Sequence, residues 1–139
     1  VQVSSLNQPS LDGRVVPDVA GLSGNPFYSL ILRGAESANG GTSASAPMWA
    51  CLVARMSAQS PAGGQKRFLT RLLYEKLPDG RTVGSVGCRP ITQGNNASYP
   101  HPGKGYDAGP GFSAVAGWGV PDGQALLTAL EQVGTGASA

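Results

Sequence analysis

An α/β architecture is expected from this sequence, on three observations. An apolar five-residue run, Tyr28-Ser29-Leu30-Ile31-Leu32, stands between Gly24-Asn25-Pro26 and Gly34 and has the length and punctuation of a strand. Two stretches with helical apolar spacing, Ala44 to Gln59 and Gln65 to Leu77, are too long for ordinary strands. The remainder is built for tight turns, since the chain carries 21 Gly and 11 Pro in 139 residues. Only 13% of residues are charged and 40% are hydrophobic, which sets the chain apart from disordered tails and suits a loop-rich globular unit long enough to bury a core.

Residues Val1 to Asp12 are polar and broken by Asn7-Gln8-Pro9-Ser10, so a leading loop or a cut end is expected there. Val1-Gln2-Val3-Ser4-Ser5 has neither an initiator Met nor the charged start of a signal peptide, and the chain is expected to begin inside a longer product. Val15 to Ala20 carries Pro17 and Asp18 and reads as a strand end, because proline cannot serve a central ladder position. After Gly40-Gly41-Thr42-Ser43, the residues Trp49, Leu52, Val53 and Met56 recur at helical spacing with few charges on any face, which predicts a buried helix. Pro47 is tolerated in a first helical turn, so that helix is expected to begin within a residue or two of Ala44, with Ser43 at its N-terminus.

Gln65 to Leu77 is expected as an amphipathic helix with Phe68, Leu69, Leu72, Leu73 and Leu77 inward and Lys66, Arg67, Arg71 and Lys76 outward, stopped by Pro78-Asp79-Gly80. From Val83 to Gly119 the chain reads as a structured loop dense in Gly, Pro and Asn, with Pro90-Ile91-Thr92 and Ser113-Ala114-Val115 as short strands. Asp122 to Val133 is expected to close the fold as a short helix ending at Gly134, and residues 135–139 as a disordered tail.

The net charge of +2, with Lys66-Arg67 and Arg71 as the densest basic group, offers no footprint for nucleic acid. No apolar run approaches the length that spans a bilayer, so no membrane partner is expected. Cys51 and Cys88 fit neither a metal pattern nor a disulfide framework, and are read as a buried helix thiol and a loop thiol.

The chemistry concentrates at Ser43. A serine hydroxyl becomes a nucleophile when a base takes its proton and donors stabilise the oxyanion formed by its attack. Glycines at 40 and 41 leave room for an approaching peptide, and the helix beginning beside Ser43 directs free N–H groups and a positive dipole end toward developing charge. Taken alone, the same run is also an ordinary Gly-rich turn with a Ser/Thr helix cap.

The run Gly40-Gly41-Thr42-Ser43-Ala44-Ser45-Ala46-Pro47 resembles the nucleophile motif Gly-Thr-Ser-x-x-x-Pro shared by subtilisins and by the sedolisins, the serine-carboxyl peptidases. Gly13-Arg14-Val15-Val16-Pro17-Asp18-Val19-Ala20 is similar to a second segment of the same enzymes. Pro47-Met48-Trp49-Ala50 lacks the His usual in subtilisins and follows the sedolisin habit. Ile91-Thr92-Gln93-Gly94-Asn95-Asn96, Gly109-Pro110-Gly111-Phe112 and Gly117-Trp118-Gly119-Val120-Pro121-Asp122-Gly123 resemble the sedolisin C-terminal region.

The resemblance, covering about Gly13 to Leu130, implies the C-terminal portion of a subtilisin-like domain, a mainly parallel sheet flanked by helices with long Gly/Pro-rich loops, across 1–139. It implies peptide hydrolysis in acid through an acyl-enzyme on Ser43, in a secreted or lysosome-like setting. The partner is then the N-terminal remainder of the peptidase, with its Glu/Asp base pair and oxyanion Asp, and this chain alone is expected to be inactive. Glu75 and Asp79 share the spacing of such a carboxylate pair but follow the nucleophile at a helix end, and are read as solvated; His101 is read as a loop residue. The resemblance also implies a calcium site of two Asp side chains with backbone oxygens at Ile91, Gly109 and Gly111. Those Asp positions are Pro90 and Ser113 here, with Asp107 the nearby substitute, so calcium is not expected and no cofactor is assigned. Two other classes stay open: a subtilisin-type enzyme with upstream Asp and His, and a non-catalytic relative in which the fold serves as a structural or binding module.

Overall fold

The computed structural model describes residues 14–59, 68–97 and 105–135. They form two compact units, one drawn from residues 21–64 and the other from 1–20 with 65–139. Residues 1–12, Lys66, Arg67, His101 and the tail from 136 onward lie outside the described residues, as does Ser98 of the Asn96-Ala97-Ser98 glycosylation sequon.

The smaller unit is a hairpin followed by a helix. Strand β1 (Tyr28–Leu32) falls where the apolar run places it. It pairs antiparallel with β2 (Ala35–Asn39), from Tyr28 opposite Asn39 to Leu32 opposite Ala35. The loop between them is Arg33-Gly34, both with positive φ (53° and 81°), the backbone that matches the twist of a two-residue hairpin. β2 was not expected, because Ala-Glu-Ser-Ala-Asn has little strand propensity; pairing with β1 and a bond from Ser29 Oγ to Glu36 Oε1 (2.7 Å) hold it instead. Helix α1 (Thr42–Gln59) follows. Its first residue lies two before Ala44, so Pro47 stands in the second turn rather than the first. Trp49, Leu52 and Val53 are half-buried and Met48 is exposed, while Met56 and Ser45 are buried, so the expected wholly buried helix is only partly covered by this chain.

In the larger unit, the amphipathic helix expected over 65–77 is the single turn α2 (Leu69–Leu72) among the described residues. Leu73 and Leu77 are buried as expected, but Phe68 is 73% exposed. Within the segment read as loop, α3 (Val83–Gly87) forms, and Thr82 and Ser85 close its N-terminus reciprocally as a capping box. Strand β3 (Cys88–Arg89) pairs antiparallel with β4 (Val120–Pro121), so the strands lie at 88–89 and 120–121 instead of 90–92 and 113–115. Helix α4 (Gly123–Thr135) begins just after Asp122, whose Oδ1 accepts the Ala125 N–H at 3.0 Å as an N-cap.

The core of this unit lies where α3 meets α4 and the 112–118 turn. Leu126 and Val83 are fully buried. A Cβ on Gly87 would stand 2.6 Å from Leu126 Cδ1, and one on Gly84 2.5 Å from the Trp118 ring, so bare backbone lets α4 and Trp118 close down. Phe112 and Trp118 meet edge-on at 5.3 Å, and Tyr74 packs against both. Tyr74 donates its hydroxyl to Asp18 Oδ1 at 2.7 Å, while the Asp18 carbonyl accepts from the Trp118 N–H at 2.9 Å and Arg14 pairs with its carboxylate. Val15 to Ala20 is therefore held by these contacts rather than as a strand. The fold is mixed helix and strand, but both sheets are two-stranded and antiparallel. The expected parallel pairing is absent among the described residues: the Arg33-Gly34 turn returns β2 antiparallel along β1, and β4 pairs antiparallel with β3.

Candidate active site

Ser43 is the second residue of α1, and it is exposed. The approach to it is tied down by backbone: Asn39 Oδ1 accepts the Gly40 N–H at 2.8 Å, and the Ser23 carbonyl accepts the Gly41 N–H. The Gly41 carbonyl in turn accepts from Ala44 (2.9 Å) and, more weakly, Ser45 (3.4 Å), which starts the helix. Gly41 has φ +115°, a conformation open only to glycine. Gly40 is needed for a different reason than peptide access: a Cβ there would stand 2.7 Å from both Phe27 Cδ1 and the Ser23 carbonyl oxygen.

The N–H groups of Thr42 and Ser43 lead the helix and have no backbone acceptor among the described residues. With the positive end of the helix dipole, they make the surroundings of Ser43 favourable to negative charge. Pro47 lacks the N–H that would bond the Ser43 carbonyl, so that helical hydrogen bond is missing from the start of α1. Among the described residues the Ser43 hydroxyl has no side-chain partner. Ser45, two positions on, is buried and donates to the Leu22 carbonyl at 2.6 Å. Gly21 lets that contact form, since a Cβ there would meet Ser45 Cβ at 3.0 Å. Of the two serines, Ser45 is spent in packing and Ser43 is exposed.

Glu75 and Asp79 do not assemble as a base pair. Glu75 lies 3.5 Å from Arg71, and Asp79 pairs with Arg81 at 2.6 Å, all exposed or nearly so. The hydrogen bond from the Arg81 side chain holds the Asp79 carboxyl below its ordinary range, which makes it a poor proton acceptor. Among the described residues, no three His, Cys, Asp or Glu side chains gather as a metal site. The cysteines exchange the roles expected of them: Cys51 on α1 is exposed, and Cys88 on β3 is buried, with its thiol pushed up to about 12 by desolvation. Both are unpaired.

No family profile matches the chain. Individual proteins do. Kumamolisin of Bacillus sp. (strain MN-32) is 38% identical over 130 residues, which cover 91% of this chain and 21% of that protein. Tripeptidyl-peptidase sed4 of Aspergillus fumigatus is 34% identical over 124 residues, 79% of this chain and 20% of the relative. Tripeptidyl-peptidase 1 of Macaca fascicularis is 32% identical over 120 residues, 85% of this chain and 20% of the relative. The chain belongs to the sedolisin family. This sedolisin chain spans about a fifth of the length of the curated relatives it matches. Among its described residues no helix is long and apolar enough to cross a membrane.

The sedolisin Gly-Gly-Thr-Ser run thus sits at the start of α1 with its hydroxyl outward, and the Pro-Asp-Val segment supplies Asp18, whose structural role the sequence reading missed. The signal for Asp18 was its place between a proline and a hydrophobic pair; nothing local names Tyr74 or Trp118 as its partners.

Proposed function

We propose that this sedolisin chain carries the nucleophile of a serine-carboxyl peptidase, and that the nucleophile is Ser43. The observation that carries the reading is that Ser43 is exposed at the head of α1, beside N–H groups with no backbone acceptor among the described residues, whereas Ser45 is buried and bonded. In this reading Ser43 Oγ attacks the peptide carbonyl carbon, its proton passes to a Glu carboxylate outside this chain, and the carbonyl oxygen becomes the oxyanion. The α1 N-terminus faces that oxyanion, together with an Asp supplied from outside the chain. Collapse breaks the C–N bond as the protonated Glu returns its proton to the departing amine. Water then attacks the Ser43 ester, gives up a proton to the same Glu, and releases the acid with the Ser43 hydroxyl restored.

A carboxylate base has an ordinary pKa near 4.3, so it still accepts protons where a histidine would already be charged, and activity in acid follows. A secreted or lysosome-like location, and peptide or protein as substrate, belong to the same reading. So does completion of a subtilisin-like parallel sheet by sequence outside this chain, which would also cover Leu30, Ile31 and Leu32 of β1, all exposed here.

The test is hydrolysis of a denatured protein at acid pH by the full-length gene product, with Ser43→Ala beside the wild type and a thermal melt of each. Ser43→Ala is expected to abolish turnover with a near-normal melt. Turnover retained in that variant would remove Ser43 from the mechanism, and an inactive wild type with a normal melt would favour a non-catalytic role.

A further inference from the structure

The sedolisin resemblance implies a calcium ion in the loops between β3 and β4, and the residues present do not fit one. We propose that these loops close on themselves, with the Ser113 turn and the Phe112–Trp118 packing doing the work of a divalent cation. Calcium requires six to eight oxygen ligands, and carboxylates among them offset the cost of dehydrating the ion. From Gly80 to Pro121 the sequence has one carboxylate, Asp107, against Arg81, Arg89 and Lys104. Asp107 is exposed, and its backbone is bridged to Asn95.

The two positions at which carboxylates are implied are filled by residues with other tasks. Pro90 carries no side-chain oxygen and follows the β3 pair Cys88-Arg89. Ser113 is 1% exposed, and its polar groups are engaged inside its own turn. Its N–H donates to the Gly117 carbonyl at 3.0 Å, its carbonyl accepts from the Gly117 N–H at 2.8 Å, and its Oγ accepts from the Ala116 N–H at 3.2 Å. An aspartate at this place would be surrounded by Phe112, Ala114, Ala116 and Trp118, all buried. The buried polar atom without a partner among the described residues is Trp118 Nε1, a donor, which repels a cation. The turn is also pressed against backbone: a Cβ on Gly117 would stand 2.2 Å from the Asp18 carbonyl, so the turn and the 14–20 segment interlock directly.

The experiment is thermal unfolding of the full-length gene product, wild type, Ser113→Ala and Asp107→Asn, each in EDTA and with added calcium chloride or magnesium chloride. Ser113→Ala strips the Ala116 N–H of its acceptor and is expected to lower Tm by about 2–4 °C, equally in EDTA and in calcium. A calcium-specific rise in wild-type Tm that disappears in Asp107→Asn would overturn the proposal, because Asp107 is the one carboxylate these loops contain. A rise that survives Asp107→Asn places the ion outside these loops and leaves the proposal standing. An unchanged Tm for Ser113→Ala would also overturn it, since the turn would then not be what holds the loops.

Discussion

Gly40→Ala separates a site built by packing from one built only for access. Its φ is not in the left-handed region, so an added methyl meets no intrinsic backbone strain and the whole cost is contact. The new Cβ would stand 2.7 Å from the Ser23 carbonyl oxygen and 2.7 Å from Phe27 Cδ1, where ordinary contact begins at 3.4 Å, an overlap of about 0.7 Å on each. Phe27 is 52% exposed and can swing away. The Ser23 oxygen cannot move independently, because it accepts the Gly41 N–H that sets the entry to α1. Relief must therefore shift the Gly40-Gly41 backbone, and Ser43 with it, by several tenths of an ångström. Overpacking of this kind costs about 1–3 kcal/mol. Misplacing a reacting group by about an ångström can cost on the order of a hundredfold in rate, so with Ser43 as the proposed nucleophile kcat/KM is expected to fall about ten- to a hundredfold. The assay is acid hydrolysis of a denatured protein by the full-length gene product, beside a thermal melt. Wild-type Tm and wild-type kcat/KM together in Gly40→Ala would refute the packing argument, and a lowered Tm with full activity would refute its link to Ser43.

Two further outcomes follow from the larger unit. Leu126→Ala removes a fully buried side chain seated on Gly87, and is expected to cost about 2–5 kcal/mol, read as a fall in the denaturant midpoint of the full-length gene product. Native protein is expected to have Cys51 alkylated readily and Cys88 protected until unfolding, as peptide mapping after iodoacetamide treatment would reveal. The Cys88 thiol is pushed up to about 12 from an ordinary value of 9.0, so its contribution to stability is complete below pH 9 and is lost as pH rises toward 12, when only the unfolded thiol ionises. A Cys88→Ala variant should show a shallower fall in stability across that window, and an identical slope would contradict the burial argument.

Local chemistry alone determined several parts of this protein. The apolar run 28–32 becomes β1, Gly-Gly-Thr-Ser starts α1, and Asp122 caps α4, because strand punctuation, helix initiation and capping depend on residues within one turn of each other. Tertiary structure decided what depends on the residues lying opposite. β2 exists because β1 is beside it, and α3 because Gly84 and Gly87 admit Trp118 and Leu126. The two thiols exchange their expected burial because Cys88 falls on β3 inside the larger unit while Cys51 lies on an uncovered stretch of α1. Phe68 was read as inward from helical spacing and is outward because the described helix begins only after it, leaving no face for the spacing to define. Periodicity reports which face of an element is apolar; whether anything covers that face is a property of the assembled chain.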